Sequence, residues 1–468
     1  MGFPNLKRDA KFCSGMLICG VILGTLVQTS TQVQAVPNSS NPNNLTNVNG
    51  TVYFSSYTPA SGNELWKSNG TAAGTVLVKD ITPGATGSNP NNLTNVNGIL
   101  YFTAYNPVTG TELWKSNGTV AGTVLVKDIA PGVAFSAPSN LTNINNLLYF
   151  VAYKPGTGRE LWKSNGTAIG TVLVKDIVPG GGYSYSNKLT NVNGTLYFES
   201  YTPATGWELW KSNGTAAGTF LVKDIVPGTA YSYPDNLTNV NGTLYFSAES
   251  LTNGIDLWKS NGTAVGTVRV KGIVPGINYS NPHNLTNING MLYFVDHNLA
   301  NGYELWKSNG TAAGTVIVKD IVPGGNHSQP DNLTNVNGIL YFIALTPADG
   351  RELWKSNGTA AGTVLVKNIY PSEPYSLSDN LTNINGILYF TVFTPTYRWE
   401  LWKSNGTAAG TVLVKNINSG NDDSSFSDNL TNVNGILYFT AYTPAYGREL
   451  WKSNGTARGT VLVKDIYP

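Results

Sequence analysis

Cysteine is almost missing from this chain of 468 residues: there are two, Cys13 and Cys19, both close to the N-terminus. The rest can form no disulfide and no thiolate metal site, so packing and hydrogen bonds must hold it. Its length permits that. Charge is scarce as well, at 12% of residues. With Lys7, Arg8, Asp9 and Lys11 set aside, basic and acidic residues are equal in number. A neutral chain argues against nucleic acid or an anionic membrane as partner. Catalytic signatures are also lacking: there is no GxSxG elbow, no HExxH, no P-loop and no GxGxxG. No cofactor and no metal are expected on these grounds.

The first 35 residues read as a signal peptide. Lys7, Arg8 and Lys11 form a basic head, and Met16 to Val27 is an apolar run too short for a comfortable membrane span. Val33-Gln34-Ala35 puts small residues at the −3 and −1 positions, so cleavage is expected after Ala35. Retention as an N-terminal anchor is the rival reading. Ile18 argues against a lipoprotein site at Cys19. The expected location is therefore extracellular or periplasmic, with no membrane contact after cleavage. Residues 36–42 would form a linker, and residues 43–468 the folded body.

That body is repetitive. Glu-Leu-Trp-Lys-Ser-Asn-Gly-Thr at Glu64–Thr71 returns about every forty-eight residues until Glu449–Thr456, in nine copies. In the copy from Asn92, Leu93 to Val96 is a short strand, followed by Asn97-Gly98, the preferred pair for a two-residue hairpin. Ile99 to Tyr105 is a second strand rich in β-branched and aromatic residues. Glu112 to Lys115 is a third and Thr123 to Ile129 a fourth. No stretch keeps a helical period. Four antiparallel strands per repeat predict an all-β fold: one β-propeller of nine four-stranded blades. Two smaller propellers and an open superhelix are the alternatives. The ring is expected to close by packing, without an exchanged strand.

Trp66, Trp114, Trp162, Trp210, Trp258, Trp306, Trp354, Trp402 and Trp451 recur once per copy and read as packing residues between blades. Glu64, Lys67, Lys79 and Asp80 also recur, which suggests repeated salt bridges or caps. The departures are Asp256 for Glu, and Gly272, Asn368 and Asn416 for Asp.

Glu-Leu-Trp-Lys-Ser-Asn-Gly-Thr followed by Gly-Thr-Val-Leu-Val-Lys-Asp-Ile resembles the bacterial ELWxxDGT repeat family over about residues 42 to 468. The resemblance implies an exported bacterial protein with propeller-like repeats and no established reaction. The family's Asp before Gly-Thr is Asn in every copy here, from Asn69 to Asn454. That weakens any notion of metal-binding aspartates at this turn.

Function is expected where copies differ. The connection after the fourth strand and the one between strands two and three vary, and in a propeller both emerge on one face. Tyr183, Tyr185, Tyr231, Tyr233, Tyr279 and Tyr375 lie in the first of these. They would either form shallow platforms for sugars or a protein, or cover the joins between blades. His283, His297 and His327 fall on the same face; a metal site there would draw on Asp296 or Asp331, though no HxxxH-type spacing supports it. Asp422-Asp423 lacks the ligand spacing of a calcium loop. The leading expectation is a secreted, non-enzymatic scaffold binding protein or polysaccharide through these loops. The alternatives are a carbohydrate-active hydrolase using Glu199 and Glu249, and a structural envelope or matrix component.

Overall fold

The computed structural model describes residues 38–132, 135–274, 280–370, 377–394, 398–418 and 428–468. These residues form nine antiparallel sheets of four strands, each in simple meander order, and contain no helix. Blade one is Asn43–Val48, Thr51–Thr58, Gly62–Ser68 and Val76–Lys79, and blade nine is Asp428–Val433, Ile436–Thr443, Gly447–Ser453 and Val461–Lys464. The hairpin between the first two strands follows from its two residues: Asn97 at φ 51° and Gly98 at φ 80° supply the two positive dihedrals of a type I′ turn. The third strand of blade two runs longer than expected, Gly110–Ser116, and the fourth is shorter, Val124–Lys127. Register shifts between Leu113 and Trp114 where these strands pair, and the ladder stops short of Asp128.

The first strands stand side by side around the axis. Asn95 Nδ2 donates to Asn47 O at 3.1 Å, and Asn47 Nδ2 donates to Asn432 O at 3.1 Å, which carries the same contact from blade one to blade nine. Between blades, both faces of each sheet are covered. Val48, Tyr53, Leu65, Val78 and Ile81 of blade one pack against Leu100, Phe102, Ala104 and Trp114 of blade two. Val52, Phe54 and Trp66 pack in the same way against Tyr438, Leu450, Val463 and Ile466 of blade nine. The ring therefore closes, with each blade built from one continuous stretch and no strand exchanged. The nine repeat tryptophans sit in these junctions at 3–8% exposure.

The repeated lysines act as caps on neighbouring main chain. Lys67 Nζ donates to Gly118 O at 2.8 Å and Lys79 Nζ to Thr123 O at 2.9 Å, both in the next blade. Lys452 and Lys464 do the same to Gly70 O and Thr75 O across the closure. Lys464 also lies 5.9 Å from the Trp66 ring centre, a cation over an aromatic face.

The closing junction has one more part. Interior junctions are bridged by the chain running from one fourth strand to the next first strand. Between blades nine and one no such connection exists, and residues 38–41 take its place. Asn41 N–H donates to Arg448 O at 3.1 Å, Arg448 N–H to Ser39 Oγ at 3.0 Å, and Asn38 Nδ2 to Pro468 O at 3.2 Å.

Candidate functional site

Meander topology puts the Asn-Gly hairpins and the Ser-Asn-Gly-Thr turns on one face of the ring. The strand two–three turns and the blade-to-blade connections lie on the other. This second face is organised by one buried carboxylate per blade. Glu64 is fully buried and accepts hydrogen bonds from Ser88 N–H at 2.8 Å, from Ser88 Oγ at 2.5 Å, and from Thr82 N–H at 3.1 Å. The same serine's carbonyl accepts Tyr105 N–H of the next blade at 2.7 Å. The connection is thus pinned from both blades at a single residue. Glu112–Ser136, Glu160–Ser184, Glu208–Ser232 and Glu304–Ser328 repeat the pin. Glu449 holds Ser40 of the N-terminal strap, through Ser40 N–H at 2.9 Å and Oγ at 2.6 Å. Burial pushes Glu160, Glu208, Glu304 and Glu449 up to about 7, against the pull of their donors.

One junction is rebuilt. Asp256 is too short to reach Ser280, and it pairs with Arg269 at 2.9 Å. Gly272 leaves room for that arginine, since a Cβ there would lie 2.9 Å from Arg269 Nη1. Asp296 of the next blade takes over the serine: Ser280 Oγ donates to it at 2.8 Å and Asn281 N–H at 2.8 Å. Burial, opposed by these donors, raises Asp296 to about 7. The departures at 256 and 272 thus belong to one rearrangement that keeps Ser280 held.

Each pin presents two neighbours. The residue after the serine is held left-handed at Asn41, Asn89, Ala137, Tyr185, Tyr233 and Gln329, with φ between 40° and 49°. The residue before it is Ser39, Gly87, Phe135, Tyr183, Tyr231 or His327. Blades three to five therefore carry an aromatic arc. Tyr153 stacks on Tyr183 with centroids 6.1 Å apart, and Tyr183 on Tyr185 at 5.3 Å. Tyr185 leans on Trp207 at 5.9 Å, Tyr201 on Tyr231 at 6.5 Å, and Tyr231 on Tyr233 at 5.3 Å. Tyr183, Tyr185, Tyr231 and Tyr233 remain 40–49% exposed.

The three histidines do come together, around Tyr303 of blade six. Ring centroids lie 5.0 Å from Tyr303 for His297, 5.4 Å for His327 and 5.9 Å for His283. His327 Nδ1 accepts Tyr303 N–H at 3.0 Å, so its own proton sits on Nε2. His283 Nδ1 lies 2.8 Å from Asn281 O, which makes it the donor. Asp296 is not part of this cluster, being spent on Ser280, and among the described residues no group of three or more His, Cys, Asp or Glu is placed to hold a metal. Glu199 and Glu249 do not form a working pair: Glu199 is buried against Lys188 at 3.1 Å, while Glu249 is exposed. Tyr279, Tyr375 and Asp422-Asp423 lie outside the described residues, as does the expected signal peptide.

Sequence reasoning missed Phe135, Trp207, Tyr303 and Gln329. Aligning the copies on the serine of each connection would have found Phe135 and Gln329, which flank it as Tyr183 and Tyr185 do. Trp207 and Tyr303 occupy matching places, just after the glycine that opens each third strand.

No family model matches the chain, and no curated protein matches it in sequence. Solved structures do. A puromycin hydrolase is 13% identical with a TM-score of 0.40, the match covering 76% of this chain and 59% of that one. A structure from a study of two prolyl endopeptidases is 11% identical with a TM-score of 0.42, over 76% and 54%. A puromycin-hydrolyzing peptidase of Mycobacterium tuberculosis is 10% identical with a TM-score of 0.39, over 83% and 63%. This chain thus spans less than two thirds of their length. The expectation of a non-enzymatic scaffold binding protein or polysaccharide is corrected only to this extent: the solved chains that match are named as hydrolases and peptidases, and TM-scores below 0.5 carry the argument no further. Identities this low transfer no residue roles.

Proposed function

We propose that this propeller serves peptide hydrolysis by selecting and seating substrate, with extended peptide lying along the aromatic arc of blades three to five. The observation that carries the reading is the packing within the arc. Its rings lie 5.3–6.5 Å apart, and Tyr183 and Tyr185 cover each other's faces at 23°. A sugar platform needs a free ring face for a pyranose to lie on. Here Tyr153, Tyr183 and Tyr185 stack in sequence, and the pairs Tyr185–Trp207, Tyr201–Tyr231 and Tyr231–Tyr233 are tilted by 36–38°, opening clefts between them. Such clefts suit proline rings and other apolar side chains of a left-handed extended peptide, whose conformation is largely set before binding. Tyrosine supplies this contact area at low conformational cost.

The same proposal includes export after removal of residues 1–35, with an uncleaved N-terminal anchor as the alternative, and membership of the ELWxxDGT repeat family. The basic head, the apolar run and the repeated motif support these parts.

The test titrates the full chain with dye-labelled proline-rich peptides and with oligosaccharides of similar size, and follows peptide cleavage by mass spectrometry. Peptides are expected to bind, and the Tyr185→Ala/Tyr233→Ala double variant to bind them more weakly. Oligosaccharide binding without peptide binding would sink the reading.

A further inference from the structure

Nineteen Asn-Gly pairs occur in the chain. Eight lie in the first hairpins and nine in the Ser-Asn-Gly-Thr turns, all on the face opposite the blade-to-blade connections. Asn-Gly suits these turns because both residues accept positive φ. It is also the dipeptide that most readily deamidates. The glycine nitrogen gives up its proton and attacks the asparagine Cγ. The N–Cγ bond forms, the Cγ–Nδ2 bond breaks, and ammonia leaves with that proton. Water then opens the succinimide to aspartate or isoaspartate. All seventeen of these asparagines are exposed, so water reaches every one.

The fold withholds the nitrogen. In every hairpin the N–H of the second turn residue donates to the asparagine three residues earlier. Gly98 N–H meets Asn95 Oδ1 at 2.9 Å and Gly242 N–H meets Asn239 Oδ1 at 2.9 Å, and the other seven hairpins do the same. The acceptor is itself held by the ring, since Asn95 Nδ2 donates to Asn47 O of the preceding blade. In every Ser-Asn-Gly-Thr turn the glycine N–H donates to the serine before it. Gly214 N–H meets the buried Ser212 Oγ at 2.9 Å, and the other eight turns repeat the bond. Asn213 Oδ1 is meanwhile held by Thr215 N–H at 3.0 Å and Thr215 Oγ at 2.8 Å, so neither reacting group is free to turn.

We infer that these seventeen asparagines are latent modification sites, each shielded from deamidation by the hydrogen bond on the glycine after it and reactive once its own blade opens. Opening of that kind is local and needs no global unfolding. Isoaspartate puts one more carbon into the main chain of a tight turn, so a blade modified while open cannot close as before, and opening becomes one-way. The remaining pairs, Asn253-Gly254 and Asn301-Gly302, lie in strand two–three turns and belong to neither set. The chemistry is independent of the peptide reading of the arc.

The experiment incubates the full chain at mildly alkaline pH, folded or in urea, and follows deamidation at each asparagine by peptide mass mapping. Shielded sites are expected to react about ten-fold slower or more in the folded chain, the scale of one hydrogen bond that must first be given up. Ser212→Ala removes the acceptor of Gly214 N–H and should raise the rate at Asn213 about ten-fold, leaving Asn241 unchanged. Asn239→Ala should do the converse. Thr219→Val takes away the other partner of Ser212 Oγ but keeps the serine, so Asn213 should stay slow. Equal rates in the folded chain and in urea overturn the inference without any variant. So does an unchanged rate at Asn213 in Ser212→Ala with native circular dichroism, or a rate that Thr219→Val raises as much. If Ser212→Ala does not fold, Asn239→Ala decides: a slow Asn241 there overturns the shield, and a fast one upholds it.

Discussion

The two faces of this ring obey opposite rules. On the face of the Ser-Asn-Gly-Thr turns, sequence and structure repeat together: each turn is closed by its own side chains, as in Thr71 N–H to Asn69 Oδ1 at 3.0 Å, and is gripped by a lysine of the preceding blade. On the opposite face the geometry repeats and the sequence does not. Glutamate and serine fix the main chain, and the residues beside the serine are free to differ. The first face spends its side chains on the ring. In the described junctions the second confines that work to one buried pair each and releases the flanking positions for recognition.

The comparison breaks most visibly on the repeating face. Gly118 has φ +86°, and a Cβ there would run into Tyr53 Oη of the preceding blade. Gly118→Ala combines a left-handed penalty with overpacking, so we expect a loss of about 3 kcal/mol in urea unfolding. A change of a few tenths would mean that this face is looser than its repetition implies.

Next in size is the pin of the closing junction. Ser40→Ala removes one donor to Glu449 and is expected to cost about 2 kcal/mol. Ser232→Ala, which does the same to Glu208 inside the ring, should cost less, because the chain on both sides of residue 232 stays tethered. Limited proteolysis should show new cleavage near residue 40 in the first variant only. Equal costs and no new cleavage would mean that the strap adds nothing to closure.

The pins also set a pH dependence. Glu160, Glu208, Glu304 and Glu449 have folded-state values of about 7, above the ordinary 4.5. The folded chain therefore binds more protons than the unfolded one between these values, and stability falls as pH rises through that window. The melting temperature should be higher at pH 5 than at pH 8. Glu208→Gln, which keeps an acceptor and adds no charge, should flatten the slope slightly. An unchanged slope would place the pin outside this titration.

These rules were unequally legible in the sequence. The blades could be read because their signals are local: Asn97-Gly98 dictates a hairpin, and the run Ile99 to Tyr105 dictates a strand covered on both faces. The nine-fold count followed from the near-regular spacing of Trp66 to Trp451, and closure by packing from each copy holding all four strands. The pins could not be read in the same way. Glu208 and Ser232 lie 24 residues apart, and the serine sits in a stretch whose neighbours change from copy to copy. Regularity marked the glutamates as structural without showing what they hold. The histidines at 283, 297 and 327 could be placed on one face, but not around Tyr303, because only the fold brings a first strand, a second strand and a connection to the same tyrosine. The substitutions at 256 and 272 stood in the sequence as separate departures, and only the structure joins them to Arg269 and Asp296.

The smallest expected change in stability tests the division of labour most sharply. Tyr185 is about half exposed and follows a serine already held by main-chain contacts on both sides. Tyr185→Ala removes ring contacts to Tyr183 and Trp207 but no hydrogen bond of the pin. Its left-handed φ of 47° disfavours alanine and tyrosine alike, and the matching Ala137 tolerates that conformation at φ 40°. Unfolding free energy should therefore fall by no more than about 1 kcal/mol, ring contacts being lost without a hydrogen bond of the pin, while peptide affinity falls several-fold. If stability falls by as much as it does for Ser232→Ala, the arc is part of the blade joins and the recognition role passes to other residues of that face. If stability holds and affinity falls, the pinned serine and its displayed neighbours are separable, as the contrast between the two faces requires.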